Sequence, residues 1–471
     1  MLEVAHNILS ISISLRLRIL FPCLELLLLL LFRMKEVVAG DLVDVRRAEE
    51  ESKLFQLRGL HLVNILGFSL TMSAKMEFLL KSMKGVDFAR VMSQNMIFMM
   101  VGRILTAPFV TQLSSVVGRL KVYYMIMASY VLTDVLHAAM PSVRWFSWIS
   151  RLGFLSMGPY MQLTQIQVAD IFPNEPKRVA IESGKLGLSF VVASFVVPTL
   201  NRVLYQRNYR FPFLFAALLH SAELFISILC KGETLQDNDR KRWEDIDWKS
   251  LVNPFLCLRL FNSGAKLALL SASHVLDLFV HTQSFARICN LVRMDTHGSA
   301  WGIGQRSTFE TYSACVMVPS FLFGGKIFEQ CGADLSFYGS YLVETVRFYT
   351  MSLLSKPWQE YLAMLMLGLR QPGNTALNAL LRIEAKKAGL NNSELSSCMT
   401  NLVQVAMLTN GVVLNRLYFA AHRAGHPRRF FLFCTGFPIV QLALYYWFDL
   451  GAADKHPSSP PQAEAKRKKL K

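Results

Sequence analysis

Thr199–Phe215 reads TLNRVLYQRNYRFPFLF, and the chain returns to it near its end, where Val413–Phe433 reads VLNRLYFAAHRAGHPRRFFLF. Leu200-Asn201-Arg202 matches Leu414-Asn415-Arg416, Tyr205 and Tyr418 close the two runs, and Arg210–Phe215 is echoed by Arg429–Phe433. Asn201 and Asn415 are 214 residues apart. The same offset pairs Leu113 with Ile327, Ser115 with Glu329, Gly118 with Gly332 and Asp170 with Glu384. Halves that stay in register at one offset describe a duplicated chain.

Composition says what kind of segment is duplicated. Hydrophobic residues make up 52% of the 471-residue chain and charged residues only 18%. A bilayer accepts that much apolar surface directly, and paired repeats of apolar segments are a plan common among transporters. The net charge of +17 does not mark a nucleic-acid binder, because the basic residues fall in gaps between apolar segments and in the last six residues rather than along one soluble face. They read as topology and as attraction to anionic lipid. The eight Cys show no CxxC and no Cys/His spacing for zinc, so neither disulfides nor a metal is expected. No GxxxxGK[ST], HExxH or GxSxG occurs, which argues against an enzyme, a nucleotide cofactor and ATP-driven work.

Twelve spans are predicted, at about 59–80, 91–112, 121–141, 144–168, 180–200, 211–230, 263–286, 306–325, 335–355, 358–380, 396–414 and 429–449. Segments of this length call for helices rather than barrel strands, so the expected fold is an all-α membrane protein of two six-helix bundles. The expected division is an N-terminal cytosolic or interfacial segment (1–57), a first bundle (58–230), a linker (231–262), a second bundle (263–449) and a disordered basic tail (450–471). Three readings fit Ile19–Phe32: a signal sequence, an interfacial helix, or residues ahead of a true start at Met34. Lys and Arg favour both termini in the cytosol. The tail ends Lys466-Arg467-Lys468-Lys469-Leu470-Lys471, which suits anionic lipid, and Lys468 and Lys469 also resemble a dilysine endoplasmic reticulum retrieval signal.

Thr111–Lys121, TQLSSVVGRLK, resembles the loop between helices two and three of the major facilitator superfamily, usually Gly-x-Leu-x-Asp-x-x-Gly-Arg-Lys/Arg. Leu113, Gly118 and Arg119 match; Thr111 replaces the first Gly and Ser115 the Asp. The second copy, Gly325–Gly332 (GKIFEQCG), restores the Gly at 325 and the acid at Glu329 but lacks the trailing Arg. Ala169–Arg178 (ADIFPNEPKR) is similar to the loop after helix four of that family, and Asn208–Phe213 to the opening of helix six. The resemblance covers about Arg58–Leu450, without resolving a branch, and implies a secondary transporter that works by alternating access on a small molecule. The alternative is a transport-inactive scaffold or membrane enzyme of the same fold. Ser115, Gly118, Arg119, Asp170, Arg178, Gly325, Glu329, Gly332 and Glu384 are the candidate conformational latch, with Arg119, Asp170 and Arg178 as a charge network closing one face.

Polar residues inside apolar spans mark pathways or helix–helix contacts. In span seven His274, Asp277 and His281 follow i, i+3, i+7 spacing and share one face of a continuous helix. They read either as a proton or substrate site or as interhelical hydrogen bonding. Asn64, Thr71 and Lys75 share a face of span one, Arg151 lies in span four, and Arg370, Asn374 and Asn378 line span ten at i+4 spacing. Arg103 and Asp134 are expected to pair.

Overall fold

The computed structural model describes residues 42–83, 85–140, 142–152, 157–235, 240–245, 255–301 and 303–450. Residues 1–41 and the tail from 451, with Lys468 and Lys469, lie outside the described residues, as do 236–239 and 246–254 of the linker. No strand occurs among the described residues.

The helices are α1 (Leu42–Ser82), α2 (Gly85–Val117), α3 (Arg119–Ala139), α4 (Val143–Leu152), α5 (Met157–Ile171), α6 (Pro176–Leu186), α7 (Leu188–Arg207) and α8 (Phe211–Cys230). They continue as α9 (Leu258–Asn262), α10 (Ala265–Phe279), α11 (Gln283–His297), α12 (Ile303–Leu353), α13 (Pro357–Leu365), α14 (Gln371–Lys387), α15 (Asn392–Arg423) and α16 (Arg429–Trp447). Local chemistry sets many boundaries. Pro stands in the first two positions of α6, α8, α13 and α14, where its missing N–H costs nothing. At the start of α15, Asn391 and Glu394 form a reciprocal capping box.

Grouped by predicted span, these helices make twelve segments. Segment four is α4 and α5, segment five α6 and α7, segment seven α10 and α11, and segment ten α13 and α14. Segments eight and nine are the two arms of α12, which breaks at Gly332 (φ +75°). Six stretches, including Pro176–Arg207, Phe211–Cys230 and Arg429–Trp447, are long and apolar enough to cross a bilayer by length and composition alone. Outward-facing Leu218, Phe225 and Leu229 form part of an apolar sleeve. Exposed Trp145, Trp148 and Trp358 lie toward one end of it and Tyr446 and Trp447 toward the other, as interfacial aromatics do. The chain is an integral membrane protein. Below, the near face is the one where α1 begins and the far face the one where it ends.

Packing follows the duplication. Segment one packs on five and six, three on six and two on four. Six segments later, seven packs on eleven and twelve, nine on twelve and eight on ten. The two sets meet where α2 and α5 touch α15, where α6 touches α12 and α14, and where α7 touches α12.

The structure departs from the sequence reading at three places. Segment one starts at Leu42 rather than near residue 59. Its polar opening turns are held by Arg178, which pairs with Glu51 at 2.7 Å. Segment seven is broken between Phe279 and Gln283, and segment ten passes through a 3₁₀ turn, Met366–Leu369, before α14. Both breaks are chemically satisfied. The Asn410 side-chain amide donates to the carbonyls of Leu278 (3.3 Å) and Phe279 (3.1 Å). Ser340 Oγ donates to the Leu369 carbonyl at 3.0 Å and accepts from Gly373 N at 2.9 Å. An apolar pattern cannot reveal such breaks, because partners far along the chain stand in for the lost helical bonds.

Candidate functional site

A cavity of about 500 Å³ lies between the two sets of helices, walled by α2, α5, α6, α10, α14 and α15. The breaks in segments seven and ten shape one side of it. His281 sits in the first break, so it does not continue the helical face of His274 and Asp277 as the spacing suggested. The fold still gathers all three on the cavity wall with Arg370, which stands just before α14. Arg370 Nη2 donates to Asp277 Oδ2 at 2.6 Å, and Tyr341 Oη donates to Asp277 Oδ1 at 3.2 Å. His281 Nε2 lies 3.4 Å from Glu344, and Glu344 is itself bound by Arg347 at 2.5 Å. Asn374 and Asn378 extend the same wall, with Asn378 donating to Asn374 Oδ1 at 3.0 Å.

Three arginines line the cavity, Arg103, Arg370 and Arg382, against one carboxylate, Asp277, leaving a surplus of two positive charges. Arg370 is the partnered one. Among the described residues neither Arg103 nor Arg382 has a carboxylate within ion-pair distance, and Arg103 Nε and Arg382 Nη1 are buried with no hydrogen-bond partner. A buried guanidinium without a counter-charge is costly in a protein interior and is attractive to an incoming anion. The sequence reading missed both. Arg382 continues the spacing Arg370, Asn374, Asn378 by four more residues, a signal that the sequence carries. The expected Arg103–Asp134 pair does not form, because Asp134 accepts from Thr71 Oγ1 at 2.8 Å and lies 2.8 Å from His220 Nδ1.

Thr71 and Asn64 therefore do not line the cavity. They face segments three and six, where Asn64 donates to Glu223 at 3.1 Å and Tyr123 donates to the same carboxylate. Lys75 also lies off the cavity wall. Arg151 is in the last turn of α4, bonded to Asn95 at 3.0 Å and stacked over Trp148.

At the near face Arg119 Nε donates to Asp170 at 2.9 Å and Arg119 Nη1 to Ser114 at 2.6 Å. Arg178 is not in this group. The acid expected at Ser115 is supplied by Glu233, which accepts from the backbone N–H of Arg119 (3.1 Å) and of Leu120 (3.2 Å) at the start of α3. A carboxylate there also meets the positive end of the helix. The second copy lacks this group: Glu329 is exposed, and Glu384 pairs with Lys387 at 2.8 Å. Gly325 packs against Ile181 of α6 across the interface between the two sets.

No protein-family model and no curated protein matches the sequence. Solved structures do. The crystal structure of the human organic anion transporter MFSD10 (TETRAN) superposes with a TM-score of 0.69 at 15% identity, covering 84% of this chain and 99% of that one. The chain has the major facilitator fold. At that identity the likeness concerns the fold, and it agrees with the paired packing of segments and with the two helix sets around one cavity.

Proposed function

We propose that the protein is a secondary transporter that moves a small organic anion by alternating access of the cavity between its two helix sets. The observation that carries this reading is the surplus of positive charge on the cavity wall, in Arg103 and Arg382. The structurally similar human protein is an organic anion transporter, which supports the same class. In this reading the near face is the cytosolic one, the side that the bias in Lys and Arg favours. The decisive experiment is uptake of a radiolabelled aromatic carboxylate against an organic cation into vesicles holding the purified chain. Anion uptake is expected, and Arg382→Gln should lower it by about tenfold or more, the effect of losing one charge-assisted hydrogen bond. Equal handling of both ions, or an indifferent Arg382→Gln, would overturn the anion reading.

Proton coupling is proposed at Asp277, which has two imidazoles close by and the Arg370 guanidinium bound to it. A proton on Asp277 frees Arg370 for the substrate. Uptake by Asp277→Asn is expected to ignore an imposed pH gradient that drives the native chain. Removing one partner of a buried pair destabilises by about 3–5 kcal/mol, so Asp277→Asn/Arg370→Gln is the control for folding. A gradient response kept in Asp277→Asn removes Asp277 from the coupling path.

A further inference from the structure

The central cavity has a side branch. A smaller pocket of about 180 Å³ shares Met161, Gln165, Ser183, Gly184, Gln371 and Asn374 with the cavity wall. That pocket in turn shares Leu186 and Phe321 with a third, of about 330 Å³, between α1, segment five and the first arm of α12. The third pocket is walled by Phe55, Leu62, Leu188, Val192 and Leu322, an apolar set. Leu322 is itself 46% exposed on the outer surface of the bundle, beside the exposed Phe323. Three spaces thus run in series from the charged centre to the lipid-facing side.

Two features say what such a branch would hold. The first is the charge at its near-face rim. Arg58 and Lys185 both bind the one buried carboxylate of Glu182, Lys185 at 2.7 Å, so the rim keeps a net positive charge. The second is the partition. The Phe321 ring edge lies against Gly187, so close that a Cβ there would collide with Phe321 Cε1. Glycine at 187 lets the ring fill the gap between segments five and eight, where it lines both smaller pockets. Apolar walls, a cationic rim, and arginines waiting at the inner end match a molecule with a negative head and one hydrocarbon tail.

We infer that this branch is a lateral passage for a single-chain anionic amphiphile, which comes from the near leaflet past Phe321 and leaves its tail among Leu62, Val192 and Leu322 while its head meets Arg382. The inference rests on the reading of the central cavity as an anion site. It predicts a preference among anions that the cavity alone would not produce. Along segment five, Gly184 at the cavity and Val192 in the side pocket are separated by about 12 Å of helix, a distance that a medium-length acyl chain covers.

The test uses the full chain in nanodiscs with two probes, benzoate and dodecanoate carrying a terminal photoreactive diazirine. Labelling by the dodecanoate is expected on residues of the side pocket, and excess benzoate should suppress it by competing for the head site. Val192→Trp, which fills the side pocket, should weaken dodecanoate binding by about tenfold or more while benzoate binding holds, because the tail loses its apolar surface. Phe321→Ala, which opens the partition, should instead strengthen dodecanoate labelling. Labels confined to the central cavity or the outer surface, or dodecanoate binding that ignores both variants, would overturn the passage and leave the anion site standing. Failure of the native chain to bind either probe would overturn both.

Discussion

Gly118 and Gly332 show how a repeat in the sequence becomes a physical constraint. Their backbones hold φ values of +106° and +75° with extended ψ, a region that side chains other than glycine's rarely adopt. Each stands where one segment ends and the next begins, so the 214-residue offset records two equivalent turns. Their surroundings differ. A Cβ on Gly118 would meet Glu233 Oε2 at 2.5 Å, whereas a Cβ on Gly332 would meet nothing within 4 Å. Gly118→Ala and Gly332→Ala are both expected to cost about 1–3 kcal/mol from backbone strain. Gly118→Ala should cost more, because it also pushes Glu233 off the first turn of α3. Thermal unfolding of the two variants in detergent checks the order, and equal losses would show that the Glu233 contact contributes nothing. The glycines were legible because only one residue type tolerates that backbone. Glu233 was not, since it replaces the missing acid of Ser115 from 118 positions further along the chain.

Among the elements, the positions of the spans were legible and their interruptions were not. Apolar runs located all twelve segments, because burial in lipid acts on every residue of a span. The breaks in segments seven and ten were hidden, because their carbonyls are satisfied by Asn410 and Ser340 from other segments. Asn410 also donates to Thr282 Oγ1 at 2.5 Å, and Thr282 caps α11 by accepting from Phe285 N at 3.4 Å. One amide therefore fixes both sides of the break that places His281 on the cavity wall. Asn410→Leu leaves those carbonyls buried and unbonded, at a cost of about 1–3 kcal/mol each. The expected result is faster amide hydrogen exchange across Val280–Thr282 than in the native chain, with exchange in α16 unchanged. Exchange that rises equally in both regions would mean that Asn410 supports the whole bundle rather than this break. The same reasoning explains the residues misplaced on the site. Asn64 and Thr71 do share a helical face, but periodicity does not say which neighbour that face meets, and here it meets segments three and six.

At the scale of the molecule, alternating access requires the two helix sets to part at one face while they close at the other. Their near-face contact is tight at one point. A Cβ built on Gly325 would stand 3.5 Å from the Cβ of Ile181, and the two residues belong to different sets. That spacing is within the range a disulfide spans. Ile181→Cys/Gly325→Cys, made in a background without the exposed Cys230, Cys315 and Cys331, should therefore cross-link on mild oxidation. If the near face must open in each cycle, the oxidised protein will hold substrate poorly accessible from that face and uptake will stop, and a reductant will restore it. Either cysteine alone should be insensitive to oxidant, which separates the lock from damage elsewhere. The cross-link does not touch Arg103, Arg382 or Asp277, so binding of an anion from the far face should survive it. Transport that continues with the disulfide fully formed would show that the sets do not part between α6 and α12, and the alternating mechanism would have to be abandoned for this chain.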